Sequence, residues 1–264
     1  MLQVLNVYAL PSLVDPEELA GGTVVVIDVL RSTTSIVHAL EAGAREVIPC
    51  AEIDEVRQLA AEYPPGEVVL GGERHGVKIE GFDLGNSPEE YSPRKVAGKT
   101  VIITTTNGTR AMAQAASAEK ILIGAFVNVS AIQARLLGEE RIHLLCSGTD
   151  GQYSEDDILL AGMLVERIQR LGGMPYLQNA QAITAREYWL HTFALPQALG
   201  AEPLEPELLA EALYDSPGGK NLAEIGLDED ILISAQIDRF QCVPELNPRT
   251  RRIRREGSES SPSP

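Results

Sequence analysis

Short runs of aliphatic residues alternate along the chain with longer segments in which apolar residues recur every three or four positions. After a first strand near the N-terminus, the aliphatic runs predict strands over residues 22–30, 45–50, 67–70, 99–105, 120–123 and 141–146. The helical spacing predicts helices over residues 34–41, 53–62, 110–116, 130–137 and 156–171. These repeated strand-then-helix units predict an α/β fold, a three-layer α/β/α sandwich around a mostly parallel or mixed sheet.

The pattern becomes less regular after Gly173. It predicts helices over 178–191 and 206–215, a loop over 216–221, and helix or strand over 228–237. Residues 1–247 are therefore expected to form a single α/β/α domain, with two subdomains meeting near 125–175 as the alternative. The end of the chain, RTRRIRREGSESSPSP, has little to bury, so we expect residues 248–264 to be a disordered tail.

Composition and charge narrow the function classes. The 264 residues are 44% hydrophobic and carry a net charge of −16, which disfavours binding to nucleic acid. The three cysteines are widely spaced, which favours reduced thiols in a cytoplasmic protein over a disulfide framework or a zinc site. No apolar run approaches the roughly 18 residues that a membrane span needs, so no membrane partner is expected. Exposed helices in a small sandwich are compatible with a homodimer.

The apolar run VVVI is followed by an acid, then by an arginine and several hydroxyl residues where the next helix begins. Ligands of open α/β sheets bind at the carboxyl ends of strands. A helix N-terminus and an arginine favour an anion there, and the acid could bind a metal ion that holds the same anion. The alternative is a buried acid followed by an ordinary helix cap. The candidates are Asp28, Arg31, Ser32, Thr33 and Thr34.

Two further strand ends also carry polar residues. The glycine-rich segment 71–91 places Glu73 at a strand end and His75, the one histidine suited to proton transfer, beside it; the alternative is a surface loop. In segment 101–112, VIITTTNGTRAM, threonines end a strand and Asn-Gly opens a helix, as in a phosphate cradle, although no P-loop sequence is present. The alternative there is an Asn-Gly turn with an ordinary cap. The candidates in this segment are Thr105, Thr106, Asn107, Gly108 and Thr109.

A fourth strand end, in segment 144–162, leads to a helix that begins with Glu155, Asp156 and Asp157. Acids in a first helical turn are favoured by the helix dipole, so capping is the simplest interpretation. The functional interpretation is that one or two of them bind Mg²⁺ together with Asp28 and Glu73. Ligand sets made only of oxygen suit Mg²⁺ better than zinc.

Five motifs in order along the chain resemble the 2-phosphosulfolactate phosphatase family. They are IDVLRSTTS at 27–35, GGERHG at 71–76, GFDLGNSPEEY at 81–91, TTTNGTRA at 104–111 and CSGTDGQYSEDDILLAG at 146–162. The similarity extends over roughly residues 1–245. It implies a layered α/β/α fold and a Mg²⁺-dependent phosphatase that converts 2-phospho-3-sulfolactate to sulfolactate and phosphate, a step toward coenzyme M in organisms that make it.

The residues and the resemblance together give a hypothesis for the site, in which the substrate is a small phosphorylated anion and the catalytic candidates are Asp28, Arg31 and Asp156. Mg²⁺ is held by Asp28, Glu73 and an acid from Glu155 and Asp156. Phosphoryl oxygens are bound by Arg31, Ser32, Thr33 and Thr34 and by the turn from Thr105 to Thr109. The sulfonate or carboxylate is held by Arg74, Lys78 or Arg110. Water is the final acceptor, and a covalent route through Asp28 stays open.

Three alternatives are weighed against this hypothesis. A haloacid-dehalogenase-type phosphatase needs a second acid two residues after the strand-end aspartate, where this chain has Leu30. A non-catalytic sensor of a small phosphometabolite would keep the anion-binding segments but would not need the acids. A phosphatase acting on a different small phosphorylated acid would keep both the anion-binding segments and the acids.

Overall fold

Across the residues that this computed structural model describes, 3–171, 175–194 and 204–257, eleven strands form one mixed sheet. The strands are β1 Val4–Tyr8, β2 Thr23–Ile27, β3 Glu46–Pro49, β4 Val68–Arg74, β5 Val77–Lys78, β6 Thr100–Thr104, β7 Lys120–Gly124, β8 Arg141–Cys146, β9 Leu177–Gln178, β10 Pro244–Asn247 and β11 Arg252–Arg255. The α-helices are α1 Ser32–Glu41, α2 Ile53–Ala60, α3 Pro93–Val96, α4 Gly108–Gln114, α5 Val129–Leu136, α6 Glu155–Leu171, α7 Ala180–Trp189, α8 Pro206–Tyr214, α9 Pro217–Glu224 and α10 Asp228–Ser234.

The strand order is β5-β4-β6-β3-β11-β10-β7-β2-β8-β1-β9. The strands β4, β6 and β3 pair in parallel, as do β7, β2, β8, β1 and β9. The hairpin of β10 and β11 joins these two parallel blocks through antiparallel pairing with β7 on one side and β3 on the other. Strands from both sides of residues 125–175 thus share one sheet, so the sheet does not divide there.

Helices cover both faces of this sheet, and the central strand β2 shows why. Val25 and Ile27 pack into one hydrophobic cluster, while Val24 and Val26 pack into the other, on the opposite face. The sequence of a parallel strand that is buried on both faces is a continuous aliphatic run, whereas a strand buried on one face alternates between apolar and polar residues. The run VVVI therefore predicted this position correctly, and the expected α/β sandwich is confirmed.

The C-terminal part departs from the sequence-based expectations in two places. Residues 216–221 are not a loop, because helix α9 begins at Pro217, and the side chain of Ser216 accepts a hydrogen bond from the Gly219 N–H at 3.0 Å. A serine cap and a proline in the first turn outweigh the two glycines that follow. The expectation of a disordered tail from residue 248 is also wrong up to residue 257, since β11 lies inside the sheet. Residues 258–264 lie outside the described residues.

All three cysteines are buried and unbonded to one another. No helix within 3–171, 175–194 or 204–257 combines the length and apolar character needed to cross a membrane.

Candidate active site

A cavity of about 270 Å³ opens where β2, β4, β6 and β8 end. Its wall combines residues that follow these strands with residues of α9, which the sequence pattern had not placed near the site. The lining residues are Asp28, Leu30, Arg31, Glu73, His75, Gly76, Asn86, Thr106, Asn107, Thr149, Asp150, Gly218, Asn221, Leu222, Glu224 and Ile225. The carboxyl ends of these strands, where a ligand was expected to bind, therefore carry a polar cavity of small-molecule size.

Asp28 lies in the turn between β2 and α1, and the turn is fixed by its own hydroxyl residues. The Thr33 N–H and hydroxyl donate to the Asp28 carbonyl oxygen at 3.0 and 2.8 Å, and the Thr34 hydroxyl donates to the Val29 carbonyl oxygen at 2.8 Å. The Ser32 N–H donates to Asp28 Oδ1 at 3.3 Å. Thr33 and Thr34 are fully buried and do not line the cavity, so the structure uses them to hold Asp28 in place.

The electrostatic environment of Asp28 is unusual for a carboxyl group. Burial, together with the negative charges of Asp156 and Glu73, raises its pKa to about 7 against the opposing effect of the Ser32 N–H. Carboxyl groups with such neighbours gain stability in the ionised form when a cation is bound nearby.

Glu73 joins the glycine-rich segment to the segment that opens α4. Its carboxylate accepts hydrogen bonds from the Gly76 N–H at 2.7 Å, the Thr106 N–H at 2.7 Å and the Thr106 hydroxyl at 3.2 Å. The carboxylate is buried on the cavity wall. These contacts orient Glu73 toward the same space as Asp28.

The start of α4 is packed directly against Asp28. A Cβ atom on Gly108 would lie 2.6 Å from Asp28 Oδ2 and 2.6 Å from Ser32 Oγ, so this position admits only glycine without rearrangement. Thr106 and Asn107 line the cavity. Thr105 and Thr109 bond to each other instead, with the Thr109 hydroxyl donating to the Thr105 carbonyl oxygen at 3.0 Å, and neither lines the cavity.

Arg31 is the only lysine or arginine among the described residues that line the cavity. Its Nη1 lies 2.7 Å from Asp230 Oδ2 on α10, and its Nη2 donates to the Gly76 carbonyl oxygen at 2.8 Å. The other three cations expected near the substrate are elsewhere. Arg74 donates to the Glu73 carbonyl oxygen at 2.8 Å and to the Thr104 hydroxyl at 3.0 Å, and Lys78 and Arg110 are exposed outside the cavity.

The acids at the start of α6 have three different environments. Asp156 is buried beneath the first turn of α9, where its Oδ2 lies 3.4 Å from the position of a Cβ on Gly218, and burial raises its pKa. The Ser154 hydroxyl donates to Asp156 Oδ1. Glu155 does not line the cavity. Asp156 therefore remains a candidate beside the cavity, whereas Glu155 is not brought to it.

Asp157 serves a structural role. Its carboxylate accepts from the N–H groups of Val29, Ser147 and Gly148 at 2.8, 3.1 and 3.0 Å, and from the Ser147 hydroxyl at 3.1 Å. Three of these donors are buried backbone groups at the ends of β2 and β8. One carboxylate thereby fixes two strand ends that flank the site.

Replacing Asp157 should destabilise the fold. We expect Asp157→Ala to lower the free energy of unfolding by roughly 3 kcal/mol, because it leaves buried N–H groups without an acceptor. Urea denaturation of the purified variant measures this change. Asp54→Ala, which removes an exposed acid of α2, is the matched control and should change stability by less than about 0.5 kcal/mol. Equal stability of the two variants would contradict this role for Asp157.

The structure also reveals site residues that the sequence pattern did not. Asn86 lies within the glycine-rich segment 71–91, while Asn221, Glu224 and Ile225 come from α9 and the residue after it. The Ser-Pro start of α9 was the available signal for the helix. No local signal showed that this helix would cover a cavity formed mostly by residues more than 100 positions earlier.

The residues around the cavity bear on metal binding. No group of three or more His, Cys, Asp and Glu side chains forms a metal site in the part of the chain that the structure describes. Asp28 and Glu73 nevertheless share the cavity, and their oxygen donors suit Mg²⁺. In proteins, Mg²⁺ is commonly bound through one or two carboxylates, with water and substrate phosphate completing its ligands. The two carboxylates fit that mode of binding, and Asp156, the third acid of the predicted set, lies beside the cavity without lining it.

The fold and the cavity define an α/β sandwich protein with a small polar cavity at the carboxyl ends of its strands. The family model described as 2-phosphosulpholactate phosphatase matches residues 8–249, and the chain belongs to this family. The resemblance carried by the five motifs is thereby confirmed.

Curated relatives agree with this family. A protein of Caldanaerobacter subterraneus subsp. tengcongensis named probable 2-phosphosulfolactate phosphatase is 39% identical over 244 residues, which cover 92% of this chain and 95% of the relative. A protein of Clostridium novyi with the same name is 43% identical over 236 residues, covering 88% and 92% of the two chains. One of Symbiobacterium thermophilum, again with that name, is 37% identical over 229 residues, covering 86% and 92%.

Proposed function

We propose that this protein is a phosphoric monoester hydrolase that converts 2-phospho-3-sulfolactate to 3-sulfolactate and phosphate, with Mg²⁺ as its cofactor. The observation that carries the proposal is the pair of buried carboxylates, Asp28 and Glu73, facing one small cavity that also contains Arg31. Family membership and the names of the relatives support the choice of substrate.

Asp28 and Glu73 are the residues that would hold Mg²⁺. Asp28 carries a raised pKa because it is buried near other acids, and a divalent cation would offset that unfavourable charge. When bound, Mg²⁺ supplies positive charge that neutralises phosphoryl oxygens and favours attack by water. Two carboxylates leave room for substrate and water among its ligands, which is what a phosphatase requires.

The chain's own residues position the phosphoryl group. The Thr106 N–H and hydroxyl already orient Glu73, and Gly108 allows the start of α4 to lie against the Asp28 carboxylate. The phosphoryl group is therefore expected between Asp28, Thr106 and Asn107. The apolar side chains of Leu30, Leu222 and Ile225 line the same cavity and limit the access of bulk water.

The buried, unbonded thiols suit a reducing compartment, so we place the protein in the cytoplasm. In an organism that makes coenzyme M, the sulfolactate product would enter that route. A homodimer remains our prediction for the assembly, and light scattering measures it.

Phosphate release from 2-phospho-3-sulfolactate tests the proposed function. We expect steady turnover with millimolar Mg²⁺, at least a tenfold loss in excess EDTA, and recovery when Mg²⁺ is restored. Tight binding of the substrate without turnover, with Mg²⁺ present, would favour the sensor over the enzyme. Turnover that EDTA leaves unchanged would contradict the role of Mg²⁺ but not the hydrolysis.

A further inference from the structure

A buried ion pair holds the one lysine or arginine on the described cavity wall. Arg31 Nη1 lies 2.7 Å from Asp230 Oδ2, and only 2% and 4% of the two side chains are exposed. Asp230 itself does not line the cavity. Replacing a buried ion pair by neutral side chains often leaves stability unchanged, because both charges lose their hydration when they are buried. The stability of the fold therefore does not explain this pair, and its place beside the cavity points to a role in the site.

Contacts on both carboxylate oxygens hold Asp230 in one orientation. Its Oδ2 accepts from Arg31, and its Oδ1 accepts from the Ser87 hydroxyl at 2.6 Å. Its backbone is tied to α9, because the Asp230 N–H donates to the Leu227 carbonyl oxygen at 3.1 Å and the Leu227 N–H donates to the Leu222 carbonyl oxygen at 2.9 Å. Leu222 belongs to α9 and lines the cavity. The position of Asp230 is thus fixed relative to the cavity wall.

Two acceptors orient the Arg31 guanidinium and leave it further donors. Of its five N–H donors, one is used on Asp230 and one on the Gly76 carbonyl oxygen at 2.8 Å. Gly76 is fixed in turn, because its N–H donates to the Glu73 carboxylate at 2.7 Å. The other donors of Arg31 are available to a phosphoryl group in the cavity that it lines. A planar guanidinium that is already oriented binds phosphoryl oxygens with little further loss of side-chain freedom.

The same cavity contains two carboxylates that compete with the phosphoryl group for Arg31. Asp28 and Glu73 line it, and Arg31 follows Asp28 by three residues in the turn before α1. A guanidinium paired with either acid would occupy oxygens that we assign to Mg²⁺, and its donors would be withdrawn from the phosphate. Asp230 is a third buried carboxylate, outside the cavity lining. Its ion pair with Arg31 leaves the oxygens of Asp28 and Glu73 to the metal.

We propose that Asp230 is a positioning residue, which holds the Arg31 guanidinium toward the phosphoryl group of the substrate and away from the carboxylates that bind Mg²⁺. This proposal rests on the proposed function. Asp230 acts through Arg31 and does not itself touch the substrate. Ser87 supports the same role, because its hydroxyl fixes the carboxylate oxygen that Arg31 does not use.

Binding of Mg²⁺ without substrate tests the first part of this role. Calorimetric titration with magnesium chloride compares the wild type, Asp230→Asn, and Asp230→Asn combined with Arg31→Met. Asparagine keeps the shape of aspartate but frees the guanidinium to pair with Asp28 or Glu73, so we expect the Kd for Mg²⁺ to rise roughly tenfold or more. Removing the guanidinium as well should return the Kd to within about threefold of the wild type. Ser87→Ala changes no charge and should raise the Kd by a smaller factor, about twofold to fivefold.

Phosphate release from 2-phospho-3-sulfolactate at saturating Mg²⁺ tests the second part. We expect Asp230→Asn to lower kcat/KM by roughly 10-fold to 100-fold. In the Arg31→Met background the same substitution should cause no further loss, because Asp230 acts only through Arg31. Asp228→Asn makes the same change at an exposed acid in the first turn of α10 and is the matched control. It should leave both the Mg²⁺ affinity and kcat/KM unchanged.

A loss of kcat/KM by the same factor with and without Arg31 would overturn the positioning role, and so would wild-type Mg²⁺ affinity in Asp230→Asn. Thermal unfolding of each variant shows whether it has kept its fold. If Asp230→Asn does not fold, Ser87→Ala decides the question, and unchanged Mg²⁺ affinity and kcat/KM in that variant would overturn the role. Absence of turnover by the wild-type protein would contradict the proposed function instead, and the Mg²⁺ titrations then decide the role of Asp230.

Discussion

The Asp28→Asn variant should lose phosphatase activity by a factor on the order of 10³ and yet keep its fold. Asparagine has the shape of aspartate, and its Oδ1 can still accept the hydrogen bond that the Ser32 N–H makes with Asp28. What it removes is the negative charge, and with it the proposed Mg²⁺ ligand. Phosphate release and thermal unfolding measured on the same preparation separate the two effects.

The same substitution should change how stability depends on pH. The pKa of Asp28 is raised from its ordinary value of 3.8 to about 7 by burial and by the nearby acids Asp156 and Glu73. Between these two pH values the folded state retains a proton that the unfolded state releases, so the wild-type free energy of unfolding falls as pH rises through this window. Above pH 7 the buried charge is fully present.

Glu73 and Asp156 remain in place in the Asp28→Asn variant, but the buried charge of Asp28 is gone. We therefore expect the metal-free variant to match the wild type near pH 4 and to exceed it by about 2–4 kcal/mol at pH 8. Saturating Mg²⁺ should stabilise the wild type and reduce the difference. Asp54→Asn, on the exposed face of α2, is the control. Near-normal activity of Asp28→Asn, or a stability difference independent of pH, would contradict the environment assigned to Asp28.

The sequence predicted the parts of the site that local patterns determine. The run VVVI followed by Asp28 required a strand buried on both faces with an acid at its end, and the structure has both. The hydroxyl residues Thr33 and Thr34 were expected in the phosphate site because they follow Asp28. A threonine hydroxyl can equally satisfy a nearby backbone carbonyl, and in this turn that local bond is the one formed.

The remaining parts of the site depend on contacts between distant segments. The partner of Arg31 is Asp230, 199 positions away, and α9 closes the cavity from the C-terminal region. Spacing along the chain carries no information about such pairs. Arg74 and Arg110 lie in the right motifs but do not line the cavity, because a residue's position in a motif does not determine the direction of its side chain.

The arginine-rich end of the chain shows most clearly that local sequence does not predict contacts between distant segments. RTRRIRR has the composition of a solvated tail, but its Ile253 is fully buried and pairs with Val47 of β3. Arg252 and Arg254 form ion pairs with Glu46, a buried carboxylate of β3. Arg252 and Arg254 thus neutralise a buried acid about 200 residues earlier in the chain. The composition of this segment predicted a disordered tail, but its pairing within the sheet makes it a strand.

A chain that ends at Asn247 should therefore fail to fold. Removing β11 takes Ile253 from the core, which costs roughly 2–4 kcal/mol, and leaves Glu46 buried without its arginines, which costs roughly 3–5 kcal/mol more. It also leaves β3 and β10 without their shared partner, which breaks the link between the two parallel blocks of the sheet. These losses together approach or exceed the total stability of an ordinary domain, about 5–15 kcal/mol.

Circular dichroism and hydrogen exchange of the truncated protein measure this outcome, and a chain ending at Gly257 is the matched control because it retains β11 with all its described contacts. We expect native structure and cooperative unfolding only for the longer chain.

In the full-length protein, Glu46→Gln should lower the free energy of unfolding by less than the truncation does, since it removes the buried charge together with the need to neutralise it. Cooperative unfolding of the chain ending at Asn247, at a temperature close to that of the control, would show that the hairpin is not needed to join the two halves of the sheet.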